Sequence, residues 1–306
     1  MKIAQIEIKL QAKERLYLPP YKGSTIRGAF GSAFRRISCP FQKRDCKKCL
    51  LKNKCVYSYV FETPRPEDSK IMRKYENVPH PFIIEPPFDT KTEYEPNDSL
   101  SFRLTLFGKG IDFLPYFIYS FEEMSNYGLG KGRGKLVVQS VNQGRNIIYD
   151  GTSKTLKSGV QVKELKIQKS RKTASLIRLK FLTPLRIVYR GRIAQSLDFH
   201  ILIRSLLRRI GLLSYFHSDK PFEIDFQSLI NKAMKIKTRR ANFERLDWTR
   251  YSFRQDQVIR MDGLLGEATY EGNLTEFIPY LKIGEKVHLG KGTAFGLGKF
   301  VFKILA

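Results

Sequence analysis

The chain has 306 residues, 42% of them hydrophobic, and carries 55 Lys and Arg against 29 Asp and Glu, a formal charge of +26. That length and apolar content bury a sizeable core in about two domains, which excludes a disordered basic tail. The charge selects a polyanion as partner, nucleic acid before a membrane surface, because no apolar run reaches bilayer-spanning length and no basic amphipathic helix stands apart. Charged residues interrupt the N-terminal segment too early for a signal-peptide core, so the expected location is the cytoplasm.

The first element is a strand, in which Ile3, Ile6, Ile8 and Leu10 alternate roughly with polar residues. Gly23, Ser24 and Thr25 then suit a helix start, and Ile26, Ala29, Phe30, Ala33, Phe34 and Ile37 recur at helical spacing as its buried stripe. The opposite face holds Arg27, Gly28, Gly31, Ser32, Arg35 and Arg36, which joins positive charge to small residues that admit close approach. All four cysteines follow at once, Cys39, Cys46, Cys49 and Cys55, in the spacing C-x6-C-x2-C-x5-C. In a cytoplasmic chain this spacing reads as a structural zinc site, with an iron–sulfur cluster or plain reduced thiols as the alternatives.

Proline-rich segments from Pro64 to Pro87 read as loops and edges, Leu100–Phe107 as a strand and Phe113–Met124 as a short helix. Gly128, Gly130, Gly132 and Gly134 then run with Lys131, Arg133 and Lys135 into a β-branched strand. The polar, basic stretch 151–172 reads as the connection between a domain at 1–150 and a second at 173–306.

After it the plan repeats. Ser175–Leu182 reads as a strand and Asp198–Ser214 as a helix with the stripe Phe199, Leu202, Ile203, Leu206, Leu207, Ile210 and Leu213. This helix carries LRRI at Leu207 to Ile210, where the first carries FRRI at Phe34 to Ile37. A basic segment, Lys232 to Arg240, precedes strands expected at Arg250–Val258 and Leu265–Tyr270, and the half closes with VHLGKGTAFGLGKFVFKIL. Each half therefore reads strand, helix, strands, short helix, glycine-rich loop, strand. That is the βαββαβ order of a ferredoxin-like domain, repeated in tandem within the α+β class.

Neither glycine loop contains G-x-x-x-x-G-K-[ST] or a G-x-G-x-x-G leading from strand to helix, which argues against ATP and dinucleotide binding. Glycine admits backbone N–H groups to a phosphate, though it equally serves tight turns at strand entry. Two loops in equivalent places with basic residues favour the phosphate reading. Trp248, Arg250, Tyr251, Phe253 and Arg254 interleave rings with charge, a composition suited to stacked bases and phosphates, or to a core strand with a charged outer face.

Three segments carry a family likeness: GSTIRGAFGSAFRRI with the cysteine cluster and YVFETP; NVPHPFIIEPP; and WTRYSFRQDQVIRMDGLLGEATYEGNL through HLGKGTAFGLGKF. The sequence resembles the CRISPR-associated endoribonucleases that process precursor CRISPR RNA, within the RAMP superfamily of tandem ferredoxin-like RNA-binding proteins. The resemblance implies binding of CRISPR repeat RNA and cleavage of precursor crRNA without metal. A ribose 2′-OH attacks the adjacent phosphate, leaving a 2′,3′-cyclic phosphate, with a general base, a general acid and cationic groups assisting. It also implies a monomer or homodimer, with subunits of a CRISPR effector complex as further partners.

Members of the wider family often place a catalytic histidine near the first helix, and Gly23 to Ile37 contains none. Of His80, His200, His217 and His288, the candidate base is His200, in the first turn of the second-half helix with Arg204 and Arg208 one and two turns along the same face. A solvated helix residue is the plain alternative for it. His288 precedes the second loop within VHL, His80 lies between prolines and His217 falls in a polar turn. Tyr251 is the candidate proton donor and Lys291 the candidate stabiliser of phosphate charge. The positions expected against RNA are Arg27, Arg35, Lys131, Arg133, Arg204, Arg208, Arg250, Arg254, Gly290, Lys291, Gly292, Gly296, Gly298 and Lys299. Two rival classes stand beside this reading: a non-catalytic RAMP-type crRNA-binding subunit, and a zinc-stabilised structural RNA-binding protein.

Overall fold

A computed structural model describes residues 1–41, 45–65, 78–252 and 257–306. The chain forms two units, Met1–Glu164 with Phe216–Ser218, and Leu165–Tyr215 with Asp219–Ala306. The change of unit after Glu164 falls inside the polar stretch 151–172.

The first unit is built on the strand Lys2–Ala12, which pairs antiparallel with Ser99–Phe107 on one side and Leu136–Gln143 on the other. Its alternation comes from inward apolar residues meeting their own kind across the ladder: Ile6 opposes Leu104, Ile8 opposes Phe102 and Leu10 opposes Leu100. Phe82–Glu85 pairs on the far side of Ser99–Phe107, while Asn146–Asp150 and Thr155–Leu156 extend the opposite flank. The four principal strands thus lie in spatial order 2-3-1-4, with helix α1 (Gly23–Ser38) after the first and α2 (Leu114–Tyr127) after the third. This is the ferredoxin-like arrangement.

Helix α1 buries Ile26, Phe30, Ala33 and Phe34. Phe30 is the centre of an aromatic core, with its ring centroid 4.8 Å from Phe121, 5.2 Å from Phe117, 5.6 Å from Phe61 and 5.8 Å from Phe82. Each such buried ring contributes roughly 1.5–3 kcal/mol of transfer free energy. Helix α2 starts on a proline in its first turn and stops at Gly128, whose φ of 87° ends the helical path.

The second unit repeats the order. Leu176–Leu185 lies between Gly263–Glu271 and Phe300–Ile304, and Lys237–Leu246 pairs outside Gly263–Glu271. Helix α3 (Phe199–His217) follows the first strand, α4 (Phe226–Ala233) precedes the second and α5 (Ile278–Val287) follows the third. The Asp225 carboxylate accepts the Ser228 N–H and caps α4. Phe199 packs within 5.0 Å of both Tyr270 and Phe277, and the buried Tyr270 hydroxyl donates to the Leu197 carbonyl.

The tandem ferredoxin-like expectation holds in both units, with one strand displaced. The second strand of the second sheet is Lys237–Leu246, whereas Arg250–Val258 was expected to serve. That region instead holds a separate hairpin of Thr249–Ser252 with Gln257–Arg260. Lys237–Leu246 is an edge strand exposed at nearly every position, so it has no buried face to impose an alternating pattern.

Candidate nucleic-acid interface

The two glycine-rich loops share their anchoring hydrogen bonds, although the second is four residues longer between them. Helix α2 ends at Tyr127 and α5 at Val287, and in each the next residue donates its N–H four back, Gly128 to Met124 and His288 to Gly284. Leu129 N–H then bonds the Gly134 carbonyl as Leu289 N–H bonds that of Gly298. Lys131 N–H bonds the Tyr17 carbonyl as Lys291 N–H bonds that of Arg186. The carbonyls of Lys135 and Lys299 receive N–H groups from the end of the first strand of their unit, those of Lys13 and Leu182.

This geometry explains the glycines. A Cβ on Gly130 would stand 2.2 Å from the Tyr17 carbonyl oxygen, and one on Gly290 would stand 2.4 Å from that of Arg186. Gly298, at φ 70°, would meet the Leu289 oxygen at 1.7 Å. The glycines therefore permit close backbone approach at strand entry. Gly296 and Gly298 are buried, and their N–H groups bond the carbonyls of Thr293 and Pro184. Both glycines shape the loop from within. Lys131, Gly132, Arg133 and Lys291 are exposed, and Gly290, Gly292 and Lys299 are half-buried. His288 stands where the first loop has Gly128, with φ 59°, a fully buried ring and Nδ1 3.1 Å from the Leu297 carbonyl.

On α1 the basic face is ordered by aromatic rings from the segment that follows the cysteines. The Arg27 guanidinium lies 4.9 Å from the Phe61 ring and that of Arg35 5.4 Å from Tyr57, and these two rings stack at 5.1 Å. Gly31 admits the Phe61 ring, which a Cβ would meet at 3.1 Å, while nothing lies within 4 Å of a Cβ on Gly28. Cys39, Cys46, Cys49 and Cys55 line one small cavity with Phe41, Lys52 and Ser58, and none is in a disulfide. Four thiols on one cavity are, by chemical type, a donor set suited to zinc or an iron–sulfur centre. Among the described residues, however, no three His, Cys, Asp or Glu side chains are grouped closely enough to hold an ion as they stand.

Helix α3 presents His200, Arg204 and Arg208 along its one accessible face, and His200 lies edge-on to Tyr189 at 6.0 Å. His217 is corrected from a polar turn to the last residue of α3, fully buried in the first unit. Its Nε2 lies 2.7 Å from the Pro79 carbonyl and its Nδ1 2.9 Å from the Tyr59 hydroxyl. A carbonyl only accepts, so Nε2 carries the proton and Nδ1 accepts from Tyr59. His288 is corrected from a strand residue to the C-cap of α5. His80 is half-buried, stacked at 5.7 Å on Phe82, with Nδ1 3.4 Å from Thr63 Oγ1. Arg254 lies outside the described residues, as do the side chains of Arg250 and Tyr251. Sequence reasoning did not single out Arg209, a buried guanidinium of α3 whose Nε donates to the Val287 carbonyl. Only its place in the repeated RRI pointed to it.

The comparisons with known proteins fit this doubled fold. A family model described as an N-terminal domain matches residues 1–161, and the model of the CRISPR-associated endoribonuclease Cas6 matches residues 179–300. Over residues 179–300 the chain is similar to the Cas6 CRISPR-associated endoribonucleases. An uncharacterized protein of Archaeoglobus fulgidus is 25% identical over 302 residues, covering 94% of this chain and 95% of its own. Among solved structures, a Cas6 product complex is 16% identical with a TM-score of 0.57, covering 98% of this chain and 99% of that one. Thermus thermophilus Cas6 is 17% identical with a TM-score of 0.56, covering 98% of each chain. The chain also matches part of a Cas6-RT-Cas1–Cas2 complex, at 14% identity and a TM-score of 0.57, covering 99% of this chain and 29% of that one. At these identities the solved structures establish a shared fold. Among the described residues no helix is long and apolar enough to cross a membrane.

Proposed function

We propose that this protein binds CRISPR repeat RNA and cuts precursor crRNA to guide length by metal-independent attack of a ribose 2′-OH, leaving a 2′,3′-cyclic phosphate. The observation that carries the reading is the Cas6 endoribonuclease match over residues 179–300, which spans both the accessible face of α3 and the second glycine loop. On this reading His200 takes the 2′-OH proton, Tyr251 supplies a proton to the leaving 5′-oxygen and Lys291 offsets the charge growing on phosphorus. Arg204 and Arg208 hold the backbone beside His200. Lys299 with Gly290 and Gly292 holds it at the loop, and Arg250 and Arg254 are further contacts to it. In the first unit Arg27, Arg35, Lys131 and Arg133 contact RNA phosphates in the same way.

The four cysteines bind one zinc as a structural centre, which supplies cross-linking of the segment after α1; Cys39, Cys46, Cys49 and Cys55 are its thiolate ligands. Metal content separates the readings: zinc near one per chain supports it, iron with sulfide indicates a cluster, and neither leaves plain thiols. The protein works in the cytoplasm as a monomer or homodimer. Subunits of a CRISPR complex are partners of the same reading, in keeping with the Cas6-RT-Cas1–Cas2 assembly of the related chain.

The deciding experiment incubates the protein with repeat RNA in EDTA, beside the same RNA carrying a 2′-deoxy group at the cut position. Cleavage of the first and survival of the second are expected. An intact unmodified RNA that is nevertheless bound points to the non-catalytic subunit. Binding that ignores the repeat sequence points to a general RNA-binding protein.

A further inference from the structure

The duplication pairs two arginines whose surroundings differ in one respect. Arg36 of α1 and Arg209 of α3 occupy the same place in the two RRI motifs, and each meets the end of the helix that leads into its unit's glycine loop. Arg36 lies over the Tyr127 ring, 3.3 Å from its centroid, and pairs with Glu123 at 3.4 Å. Arg209 meets the equivalent residue, Val287, through its carbonyl. Glu123 stands four residues before the end of α2; the residue four before the end of α5 is Ile283, which is buried. The carboxylate that balances the first arginine is an aliphatic side chain in the second unit.

Arg209 is consequently a charge without a counter-charge. It is 8% exposed, forms no ion pair among the described residues, and its Nη2 is buried with no hydrogen-bond partner among them. Burial pulls its pKa down to about 9, which still leaves it protonated at neutral pH. Folding tolerates a buried unpaired charge poorly, and a charge that neutralises an RNA phosphate releases the counterion condensed there. Directly beyond Val287 and His288 the chain passes into Gly290, the exposed Lys291 and Gly292, where no side chain of the two glycines blocks an anion.

We infer that Arg209 is a concealed phosphate-attracting residue: its uncompensated charge, at the end of the helix that enters the second glycine loop, holds one RNA backbone phosphate on that loop, a role that Arg36, already neutralised by Glu123, does not have. The inference rests on the reading of the chain as an RNA binder. It also makes the two loops functionally unequal although they share the same anchoring backbone hydrogen bonds. A purely structural part for Arg209, capping the carbonyl end of α5, affects stability and leaves the electrostatics of RNA binding alone.

The test measures repeat-RNA affinity against salt for the full chain, Arg209→Gln and Arg36→Gln, with thermal melts of each. Glutamine keeps an N–H for Val287 and removes the charge. Arg209→Gln is expected to flatten the log–log salt slope by about 0.7, one single-strand phosphate contact, and to weaken binding about tenfold at low salt. Arg36→Gln is expected to keep the parent slope. Ile283→Glu restores the missing carboxylate, so it is expected to flatten the slope like Arg209→Gln, and it serves if that variant does not fold. An unchanged slope in Arg209→Gln or Ile283→Glu, or equal losses in Arg209→Gln and Arg36→Gln, overturns the inference while the RNA reading stands. A parent chain without salt-dependent RNA binding overturns both.

Discussion

Lys22 illustrates how far a single residue's role can depart from its type. In the sequence it is one more lysine in a basic chain, yet its side chain is fully buried, with Nζ 3.0 Å from both the carboxylate and the backbone carbonyl of Asp89. Burial pushes the Asp89 carboxyl up. The hydrogen bond and charge of Lys22, the Lys91 N–H and the Tyr94 hydroxyl more than offset this, and the net direction is down from its ordinary value. A carboxyl lowered in the folded state contributes stability that is complete above its unfolded pKa, near 3.9, and is lost as pH falls through the folded value. Melting temperature should therefore hold from neutral pH to about 5 and begin to fall below 4, a fall that Asp89→Asn makes shallower. At pH 7 that substitution should cost about 2 kcal/mol. This is less than the ~3–5 of a fully buried pair, since the Asp89 side chain is half exposed and Lys22 keeps two carbonyls. An Asp89→Asn variant as stable as the parent, with the same acid limb, would show that the pair contributes nothing.

At the scale of elements, the glycine loops separate two kinds of glycine that look identical in sequence. Gly132 has φ 82° with nothing within 4 Å of a Cβ, while Gly290 has φ 85° and a carbonyl oxygen in the way. Gly132→Ala should cost only the left-handed backbone penalty, about 1–2 kcal/mol, and leave RNA affinity near that of the parent. Gly290→Ala adds a clash that the Leu185–Arg186 backbone must relieve by moving, so both stability and RNA affinity should fall by more. Equal melting temperatures for the two variants would contradict this account. Helix α1 was far more legible, because apolar residues at helical spacing name their own buried face. Even so, Ala29 and Ile37 of the expected stripe are only half-buried, and the core gathers around Phe30. Phe30→Ala should cost about 3–5 kcal/mol by chemical denaturation, as the surrounding rings cannot all collapse into the space.

For the whole molecule, what the sequence disclosed was repetition. The order of elements, the two RRI motifs and the two loops were all visible, because each rests on a local pattern of apolar spacing or glycine. Lys237–Leu246 was not visible as a sheet strand, since an exposed edge is held by its partner's backbone and leaves no pattern of its own. His217 was misread for a related reason: nothing within its neighbours SYFHSD says that the ring will pack against residues far back in the chain. It does so as part of a discontinuous first unit, which consists of residues 1–164 and 216–218. The neutral ring donates from Nε2 to Pro79 and accepts at Nδ1 from Tyr59, a phenol that burial and the Asp112 charge keep protonated. Gly108 exists to admit this segment, as a Cβ there would stand 1.6 Å from the His217 carbonyl oxygen.

That discontinuity makes a prediction about the entire chain. His217→Ala leaves the Tyr59 hydroxyl and the Pro79 carbonyl without their bonded partner and opens a cavity beside them. The full-length variant should lose about 2–4 kcal/mol from the first unit, the sum expected of an unmade buried hydrogen bond and a lost buried side chain. A fragment of residues 1–164 lacks the same segment and should show the same weakening. Amide hydrogen exchange locates it: protection should drop in Tyr57–Thr63 and Phe82–Glu85 of both proteins, while the strand pair Lys2–Ala12 and Ser99–Phe107 keeps most of its protection. If the fragment proved as stable and as well protected as the first unit of the intact chain, residues 216–218 would be packed on a unit that does not need them.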